Sequence, residues 1–299
     1  MDSAFKHLAE RALIASGIGH LARRRVAGRT LILAYHNVLP DGEQASGDSS
    51  LHLPQRDFAR QLDVLADSHE VVRIDSLFAD SRPARRPKVV ITFDDAYAGA
   101  LSIGVEELMK RGMPATIFVA PALLGEVTWW DALSEPTYGA VPNDLRRHAL
   151  ETLAGDGKAI LRWADTSLPR SGSRSTLPRI ATMSELEDIA SEPGMTLGSH
   201  SWSHANLRAL GGPELEKELL RPLQWLRSRF TTVTPWLTYP YGLFSDAVQR
   251  AAANAGYRGA FRIDGGWMPR SPDSPYAIAR LNIPSGLSLD GFRLRLAGL

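Results

Sequence analysis

The sequence predicts an α/β protein, a single-domain, distorted (β/α) barrel of about seven strands with a helical insertion. From about residue 30, short apolar runs rich in β-branched and aromatic residues alternate with amphipathic stretches of helical period. The alternation breaks once, over residues 121–183, where a longer connection ends in a Ser-, Pro- and Arg-rich stretch. We therefore assign residues 1–28 to an N-terminal helix with a basic arm and residues 29–299 to the barrel with its insertion.

The predicted strands are short and are bounded by glycine or proline, which is typical of buried strands in a parallel sheet. They cover Thr30–Tyr35, Lys88–Phe93, Ala115–Ala120, Met195–Ser199, Trp236–Tyr239, Gly259–Arg262 and Ala277–Ile283.

Capping residues locate several helices between these strands. Ser184, followed three residues later by Glu187, predicts a capping box at a helix start. Ser245 predicts the start of another helix, and Pro222 predicts a kink in a helix over residues 214–230. Two further helices are predicted over residues 56–68 and 101–108.

Composition excludes several classes of function. The chain is 44% hydrophobic and 22% charged, as soluble globular proteins are, and its net charge of +1 gives no electrostatic argument for nucleic-acid binding. It contains no cysteine, which excludes disulfides, thiolate metal sites and a cysteine nucleophile. The eight histidines and 33 acidic residues are therefore the available metal ligands.

The N-terminus predicts a helix with Phe5, Leu8, Ala12 and Ala15 on one face, packed on its own domain. It does not resemble a signal peptide, because the basic cluster 23–25 follows the apolar part instead of preceding it. The alternative is contact with a membrane surface through this helix and its basic end. We accordingly expect the protein in the cytoplasm or peripheral to the inner membrane face.

Polar residues follow four of the predicted strands, at the end where a (β/α) barrel collects its reactive groups. The first strand runs into His36, and the second into Asp94 and Asp95. Another runs into His200-Ser201-Trp202-Ser203-His204, and a fourth into the turn Tyr239-Pro240-Tyr241-Gly242.

Each of these features has an ordinary structural explanation when it is taken alone. An Asp-Asp pair can form an Asx turn or cap a helix, and two histidines four residues apart are common on surfaces and in cores. Together, however, two imidazoles and a carboxylate form the ligand set of a catalytic zinc site with an open position for water. A second carboxylate beside that water can act as a general base.

The segments Thr92-Phe93-Asp94-Asp95 and His200-Ser201-x-x-His204 resemble the first two motifs of the polysaccharide deacetylases, carbohydrate esterase family four. The resemblance extends from about Leu31 to Ile283. It implies that Asp95, His200 and His204 bind a divalent metal ion, most often zinc, and that Asp94 is the general base. Cobalt, nickel and iron accept the same ligands.

Three positions depart from the family pattern. Thr238 stands where the family has an arginine that pairs with the base, no histidine follows His204, and residue 96 is Ala where glycine is common. These departures are similar to a permuted subgroup, the poly-N-acetylglucosamine deacetylases, in which an early histidine is the general acid. The resemblance implies His36 for that role, and we expect Arg280 to replace the missing arginine, although a structural ion pair is the alternative.

The remaining candidates concern the substrate. The resemblance implies that the backbone N–H of Tyr241 stabilises the oxyanion. Aromatic side chains near the motifs are expected to contact sugar rings or to fill the core; they are Tyr97, Trp202, Tyr239 and Trp267, with Trp202 the best stacking candidate. Asp264 is expected to orient His36 or to contact the substrate, and the alternative is a turn residue before two glycines.

The predicted function is metal-dependent removal of N-acetyl groups from amino sugars of an acetylated glycan or glycoconjugate. Two alternatives stay open. One is a deacylase of another substrate, such as acetyl-xylan, a lipid-linked sugar or a small acylated amine. The other is a non-catalytic glycan-binding paralogue, which the complete Asp/Asp/His/His set disfavours because a binding protein needs no base beside an open metal position.

Overall fold

The computed structural model describes residues 3–16, 26, 29–78, 86–135, 139–168, 177–269 and 272–299. Its main sheet contains eight strands: seven follow the order β10-β1-β5-β6-β7-β8-β9, and the short β4 pairs with β5 beside them. Every pairing of these strands is parallel. A separate pair is formed by β2 and β3. The strands are β1 Thr30–Tyr35, β2 Asn37–Leu39, β3 His52–Pro54, β4 Glu70–Val71, β5 Lys88–Phe93, β6 Ala115–Val119, β7 Met195–Ser199, β8 Val233–Thr238, β9 Gly259–Phe261 and β10 Leu281–Asn282.

The sheet curves into an incomplete barrel. Its two edges are linked by one segment, because Ile278 bridges to Phe261 of β9 while β10, three residues later, pairs with β1. The predicted α/β barrel of about seven strands is therefore confirmed. Its strands are buried on both faces because helices cover the outside, and this explains their nearly continuous apolar sequence.

The helices are α1 Ser3–Ala15, α2 Gln55–Ser68, α3 Val105–Met109, α4 Trp129–Ala132, α5 Asn143–Arg147, α6 Gly157–Ser167, α7 Met183–Ala190, α8 Gly212–Arg229, α9 Asp246–Asn254 and α10 Leu289–Leu296. Single turns of π-helix, Ala100–Gly104 and His148–Thr152, adjoin α3 and α5. Short 3-10 turns cover Ser49–Leu51, Ile74–Ser76, Pro121–Leu123, Leu207–Ala209 and Pro240–Gly242.

Several predicted elements differ from the structure in their bounds; the strand predicted over Ala277–Ile283, for example, covers only Leu281–Asn282. The capping box is formed by Thr182 and Glu185, not by Ser184 and Glu187. Both pairs have the required spacing, but Glu185 is also held by Arg179, and this fixes the earlier start. The strand predicted to begin at Trp236 begins at Val233, because its proline lies within the strand and accepts a hydrogen bond from Arg258 N through its carbonyl.

The N-terminal helix is present, but the face predicted to pack is wrong. Leu8 is 66% exposed, whereas Glu10 is buried and accepts a hydrogen bond from Ser288 Oγ (2.5 Å). The Phe5 side chain and the basic cluster 23–25 lie outside the described residues, so contact with a membrane surface stays a prediction. Within the described ranges, no helix combines the length and apolarity needed to cross a bilayer.

Candidate active site

A cleft of about 200 Å³ opens at the carboxyl ends of the strands. This end of the barrel receives the residues that follow β1, β5, β7 and β8, so groups far apart in sequence meet there. The lining residues are His36, Asp48, Ser50, Leu51, Asp94, Asp95, Trp130, Arg146, His200, His204, Tyr239, Tyr241, Gly242, Ile263 and Asn282.

Three of these residues could hold a metal ion together. Asp95, His200 and His204 are buried, and one ligand atom of each lies within 4.8 Å of the others. Asp95 Oδ1 lies 3.2 Å from His204 Nε2 and 3.5 Å from His200 Nε2. The same oxygen is buried and accepts no hydrogen bond from any described residue. A cation fits this place, because a buried carboxylate oxygen without a partner is otherwise costly.

The protonation states of the three residues suit the same role. Burial lowers the pKa of His204 to about 4 and also lowers the pKa of His200, so both imidazoles are neutral at pH 7. Burial raises the pKa of Asp95 when no cation is present. Two neutral imidazoles and one carboxylate match the protein ligands of catalytic zinc sites.

Thr238 fixes the orientation of one of these imidazoles. His200 Nδ1 lies 2.9 Å from the Thr238 carbonyl oxygen and 2.6 Å from Thr238 Oγ1. The carbonyl can only accept, so Nδ1 carries the proton and Nε2 is left as the ligand atom facing Asp95. In the sequence, Thr238 is notable only as the position of the missing arginine. In the structure, it also orients the His200 imidazole.

Asp94 is held by Arg280. The guanidinium donates from Nη1 to Oδ1 (2.8 Å) and from Nη2 to Oδ2 (2.6 Å), and it also donates to Thr92 Oγ1 (3.1 Å). Both side chains are buried. Although burial opposes ionisation, Arg280 holds the pKa of Asp94 far below its usual range. The expected pair is therefore present in the structure, and it keeps Asp94 ionised.

His36 lies at the end of β1 and lines the cleft, as predicted from the sequence. Burial lowers its pKa, while the carboxylates of Asp95 and Asp94 act in the opposite direction. Asp264, expected to orient it, is 71% exposed at its side chain and pairs with Arg262. That prediction is wrong, because Asp264 lies in the turn that was its alternative explanation.

The site contains a concentration of strained backbone. Among the described residues, the non-glycine residues with positive φ are Asp95 (68°), Ala96 (62°), Ala154 (50°), Ser201 (62°), His204 (60°) and Tyr241 (59°). All but Ala154 belong to the motifs named above. Such conformations are costly and persist where surrounding contacts enforce them. The left-handed φ of Ala96 also explains why glycine is common at this position in the family that the motifs resemble.

Tyr97 does not line the cleft but fills the core, which was the alternative to a contact with the substrate. It is fully buried, donates to Asp131 Oδ2 (2.6 Å) and accepts from Trp130 Nε1 (2.8 Å). Asp131 also accepts from Asp48 N (2.9 Å), and its Oδ1 lies 3.0 Å from His52 Nε2. This buried network ties the insertion to the barrel.

Two tryptophans also lie elsewhere than expected. Trp202 lies outside the cleft, in a neighbouring cavity of about 250 Å³, and the Arg221 guanidinium covers one face of its ring at 3.6 Å. Trp267 precedes Met268, which bridges to Thr30 at the opposite, amino end of β1, and it stacks on His69. Neither ring is placed to stack on a sugar in the cleft.

The two tyrosines of the turn after β8 do line the cleft. Tyr239 donates to the Tyr276 carbonyl (2.8 Å), so its hydroxyl is engaged in the structure. Tyr241 accepts from Trp129 Nε1 (2.8 Å), and its ring packs edge-on against His204 with centroids 4.5 Å apart. Tyr241 therefore supports a candidate ligand as well as the cleft wall.

One side of the cleft was missed by the sequence reasoning. Asp48 and Ser50 come from the loop before β3, and Arg146 comes from α5 in the insertion. Arg146 Nη2 donates to Asp48 Oδ2 (3.0 Å), and Asp48 Oδ1 accepts from Ser50 Oγ (2.6 Å). No spacing in the sequence links these residues, because they approach only through the fold.

Known proteins of similar fold share this architecture. The chain aligns with PplD of Streptococcus pyogenes, a deacetylase solved in complex with acetate, at a TM-score of 0.61 and 16% identity, covering 90% of this chain and 98% of PplD. It aligns with IcaB from Ammonifex degensii at a TM-score of 0.61 and 17% identity, covering 90% of this chain and 96% of IcaB. It aligns with BC0361, a polysaccharide deacetylase from Bacillus cereus, at a TM-score of 0.64 and 16% identity, covering 90% of this chain and 69% of BC0361.

Sequence comparison agrees. The chain is 22% identical to YxkH of Bacillus subtilis (strain 168), whose name places it among the polysaccharide deacetylases, over 266 residues that cover 87% of this chain and 74% of YxkH. A family model described as polysaccharide deacetylase matches residues 81–260. Because that match covers more than half of the 299 residues, the chain belongs to the polysaccharide deacetylase family.

Proposed function

We propose that the chain is a metal-dependent hydrolase that removes N-acetyl groups from amino sugars of a poly- or oligosaccharide. The observation that carries the proposal is the juxtaposition of two carboxylates with different environments. Asp94 is paired with Arg280, whereas the neighbouring Asp95 faces two neutral imidazoles with an oxygen that lacks a hydrogen bond. A glycan-binding protein would need no such division between a paired and an unpaired carboxylate.

Asp95, His200 and His204 would hold the ion, and this ligand set favours zinc. When bound, it would supply Lewis acidity at the acyl carbonyl and activate water as the nucleophile. Asp94, kept ionised by Arg280, accepts the proton of the attacking water. Arg280 also fixes the direction of the Asp94 side chain through two parallel hydrogen bonds.

The remaining steps use groups on the wall of the cleft. Loss of the amine from the tetrahedral intermediate needs a proton, and we assign His36 of the cleft lining to give it. His36 would donate as the imidazolium, the form that the Asp95 and Asp94 carboxylates favour by raising its pKa against the effect of burial. The backbone N–H of Tyr241 is assigned to the oxyanion, because the strained turn holds this residue at the cleft. Acetate bound to PplD, a neighbour in fold, is consistent with acetate as the product.

Chelation and one substitution test the proposal. We expect a metal-stripped protein to release no acetate from acetylated chitooligosaccharides and to recover on addition of Zn²⁺ or Co²⁺. We expect Asp94→Asn to lower kcat by about 10²- to 10⁴-fold while metal binding is kept, because Asp94 is assigned as base and not as ligand. Full activity after metal removal would contradict the mechanism.

A substrate panel separates the alternatives. Release of acetate from acetyl-xylan fragments but not from chitooligosaccharides would indicate an esterase of the same fold. Release from a small acylated amine alone would indicate a deacylase outside glycan chemistry. Binding of a glycan without release of acetate would indicate the non-catalytic paralogue.

A further inference from the structure

The loop that carries both candidate histidine ligands is strained. We define the ligand loop as residues 200–204, which follow β7 and include His200 and His204. Ser201 and His204 within it have φ values of 62° and 60°, a region that residues other than glycine seldom adopt. Within the loop, Ser201 Oγ accepts from His204 N (3.0 Å). Residues 202 and 203 lie between the two strained residues. Their backbone N–H groups make no hydrogen bond within the loop and are held by another element.

Helix α8 supplies that support through Glu218. Its Oε2 accepts from the backbone N–H groups of both Trp202 (3.0 Å) and Ser203 (2.9 Å), and its Oε1 accepts from Ser203 Oγ (2.7 Å). Three residues further along the same helix, the Arg221 guanidinium stacks on the Trp202 ring. The helix therefore holds both residues that lie between the strained ones, and Ala122 N adds one hydrogen bond to the Trp202 carbonyl (3.0 Å) without contacting Ser203.

We propose that Glu218 is a positioning residue for the metal centre, a role that rests on the proposed metal-dependent function. Glu218 makes no hydrogen bond to Asp95, His200 or His204, so it would act through the backbone of the ligand loop. By ordering residues 202 and 203 it keeps His204 in its left-handed conformation and its imidazole directed at Asp95. Without the carboxylate, the loop can relax to an unstrained conformation and separate the two imidazoles.

Two substitutions of Glu218 separate the effect of its hydrogen bonds from the effect of its negative charge. In Glu218→Gln, the amide oxygen can accept from both backbone N–H groups, and the amide nitrogen can donate to Ser203 Oγ. All three hydrogen bonds are thus retained without the negative charge. Glu218→Ala removes all three.

The test measures metal affinity on the full chain, independently of catalysis. Metal-stripped protein competes with a chromophoric chelator for Zn²⁺, and Co²⁺ absorption reports the ligand geometry. We expect Glu218→Ala to bind Zn²⁺ about 10- to 100-fold more weakly, which is typical when a partner behind a metal ligand is lost. We expect Glu218→Gln to stay within about three-fold of wild type. Glu216→Ala, an exposed residue of the same helix, is the matched control and should match wild type.

The outcomes are distinct. Wild-type Zn²⁺ affinity in Glu218→Ala would overturn the proposal, as would a loss in Glu218→Gln equal to that in Glu218→Ala. Circular dichroism and Tm of the metal-free variants show whether the fold is intact. If the Ala variant does not fold, Glu218→Asp takes its place, because its shorter side chain keeps the charge but cannot reach all three contacts; it should bind Zn²⁺ more weakly than Glu218→Gln, and equal affinities would overturn the proposal. A wild-type protein that binds Zn²⁺ but releases no acetate would contradict the proposed function and leave the role of Glu218 standing.

Discussion

The two walls of the cleft are built in different ways. The inner wall consists of residues that follow β5 and β7, namely Asp94, Asp95, His200 and His204, and Arg280 supports it from behind by pairing with Asp94. The outer wall consists of Asp48, Ser50, Leu51, Trp130 and Arg146, which come from the loop before β3 and from the insertion. Every residue of the inner wall is buried. On the outer wall Asp48 and Trp130 are also buried, but Ser50 is exposed and the Arg146 side chain is 38% exposed.

The difference separates two tasks. Burial on the inner wall sets the charge states that hydrolysis needs, because it lowers the pKa of the imidazoles and makes the pairing of Asp94 with Arg280 necessary. The outer wall is more accessible and is suited to contact the sugar around the acetamido group. We therefore expect changes in the inner wall and in His36 to alter kcat or stability strongly, and changes in the outer wall to alter KM.

The largest effect is expected at His36, which stands at the cleft but belongs to neither wall. His36→Gln should lower kcat by about 10²- to 10⁴-fold, because the departing amine loses its proton donor. Steady-state kinetics on an acetylated chitooligosaccharide measure the loss. His148→Gln is the control, since His148 stacks on Trp163 away from the cleft lining. A loss of only a few-fold in kcat would place the general acid elsewhere.

A large effect on stability is expected at Arg280. Arg280→Met leaves the buried Asp94 carboxylate unpaired and should lower the free energy of unfolding by about 3–5 kcal/mol, measured by urea denaturation of metal-free protein. The double variant Arg280→Met/Asp94→Asn should recover much of this loss, because no buried charge remains. A double variant as unstable as the single one would assign the effect to lost packing.

The contribution of Asp94 to the pH dependence of stability should change sign when Arg280 is replaced by Met. In wild type the pKa of Asp94 is lowered on folding, so its contribution is present above the pKa of an unfolded aspartate, about 3.9, and is lost as pH falls further. In Arg280→Met, burial without a partner raises that pKa, so protonation on acidification relieves the unpaired charge. Urea denaturation between pH 4 and pH 8 should therefore show this variant losing less stability than wild type as the pH falls. Parallel profiles would contradict the assignment.

A smaller effect is expected at Asp131, whose hydrogen bonds link the outer wall to the barrel. Asp131→Asn weakens the network that joins Asp48, His52 and Tyr97, and it should cost about 1–3 kcal/mol of stability. Because the network holds Asp48 and Trp130 at the cleft, KM should rise while kcat changes little. Asp144→Asn, an exposed position on α5, is the control. A fall in kcat with unchanged KM would show that Asp131 acts on the inner wall instead.

The same contrast explains what could be predicted from the sequence. The strands Thr30–Tyr35, Lys88–Phe93 and Met195–Ser199 have their predicted bounds, and the residues that follow them lie together, because parallel strands bring their carboxyl ends to one edge. The sequence could not decide whether Tyr97 and Trp267 contact the substrate or fill the core, because burial and position along a strand depend on packing that residue type does not reveal. Asp48, Arg146 and Glu218 carry no motif and are brought to the site only by the folded loop before β3, the insertion and helix α8.

The smallest effect is expected at Arg146 on the outer wall. Its guanidinium donates to Asp48 through Nη2, and its partial exposure leaves other N–H groups open to the hydroxyls of a sugar in the cleft. Arg146→Gln should raise KM about five-fold, which corresponds to about 1 kcal/mol for one net hydrogen bond, with kcat unchanged. Arg147→Gln, the exposed neighbour on the same helix, should leave both constants unchanged. If Arg146→Gln lowers kcat and leaves KM unaltered, the division of tasks between the two walls is wrong, because the outer wall would then stabilise the transition state rather than bind the sugar.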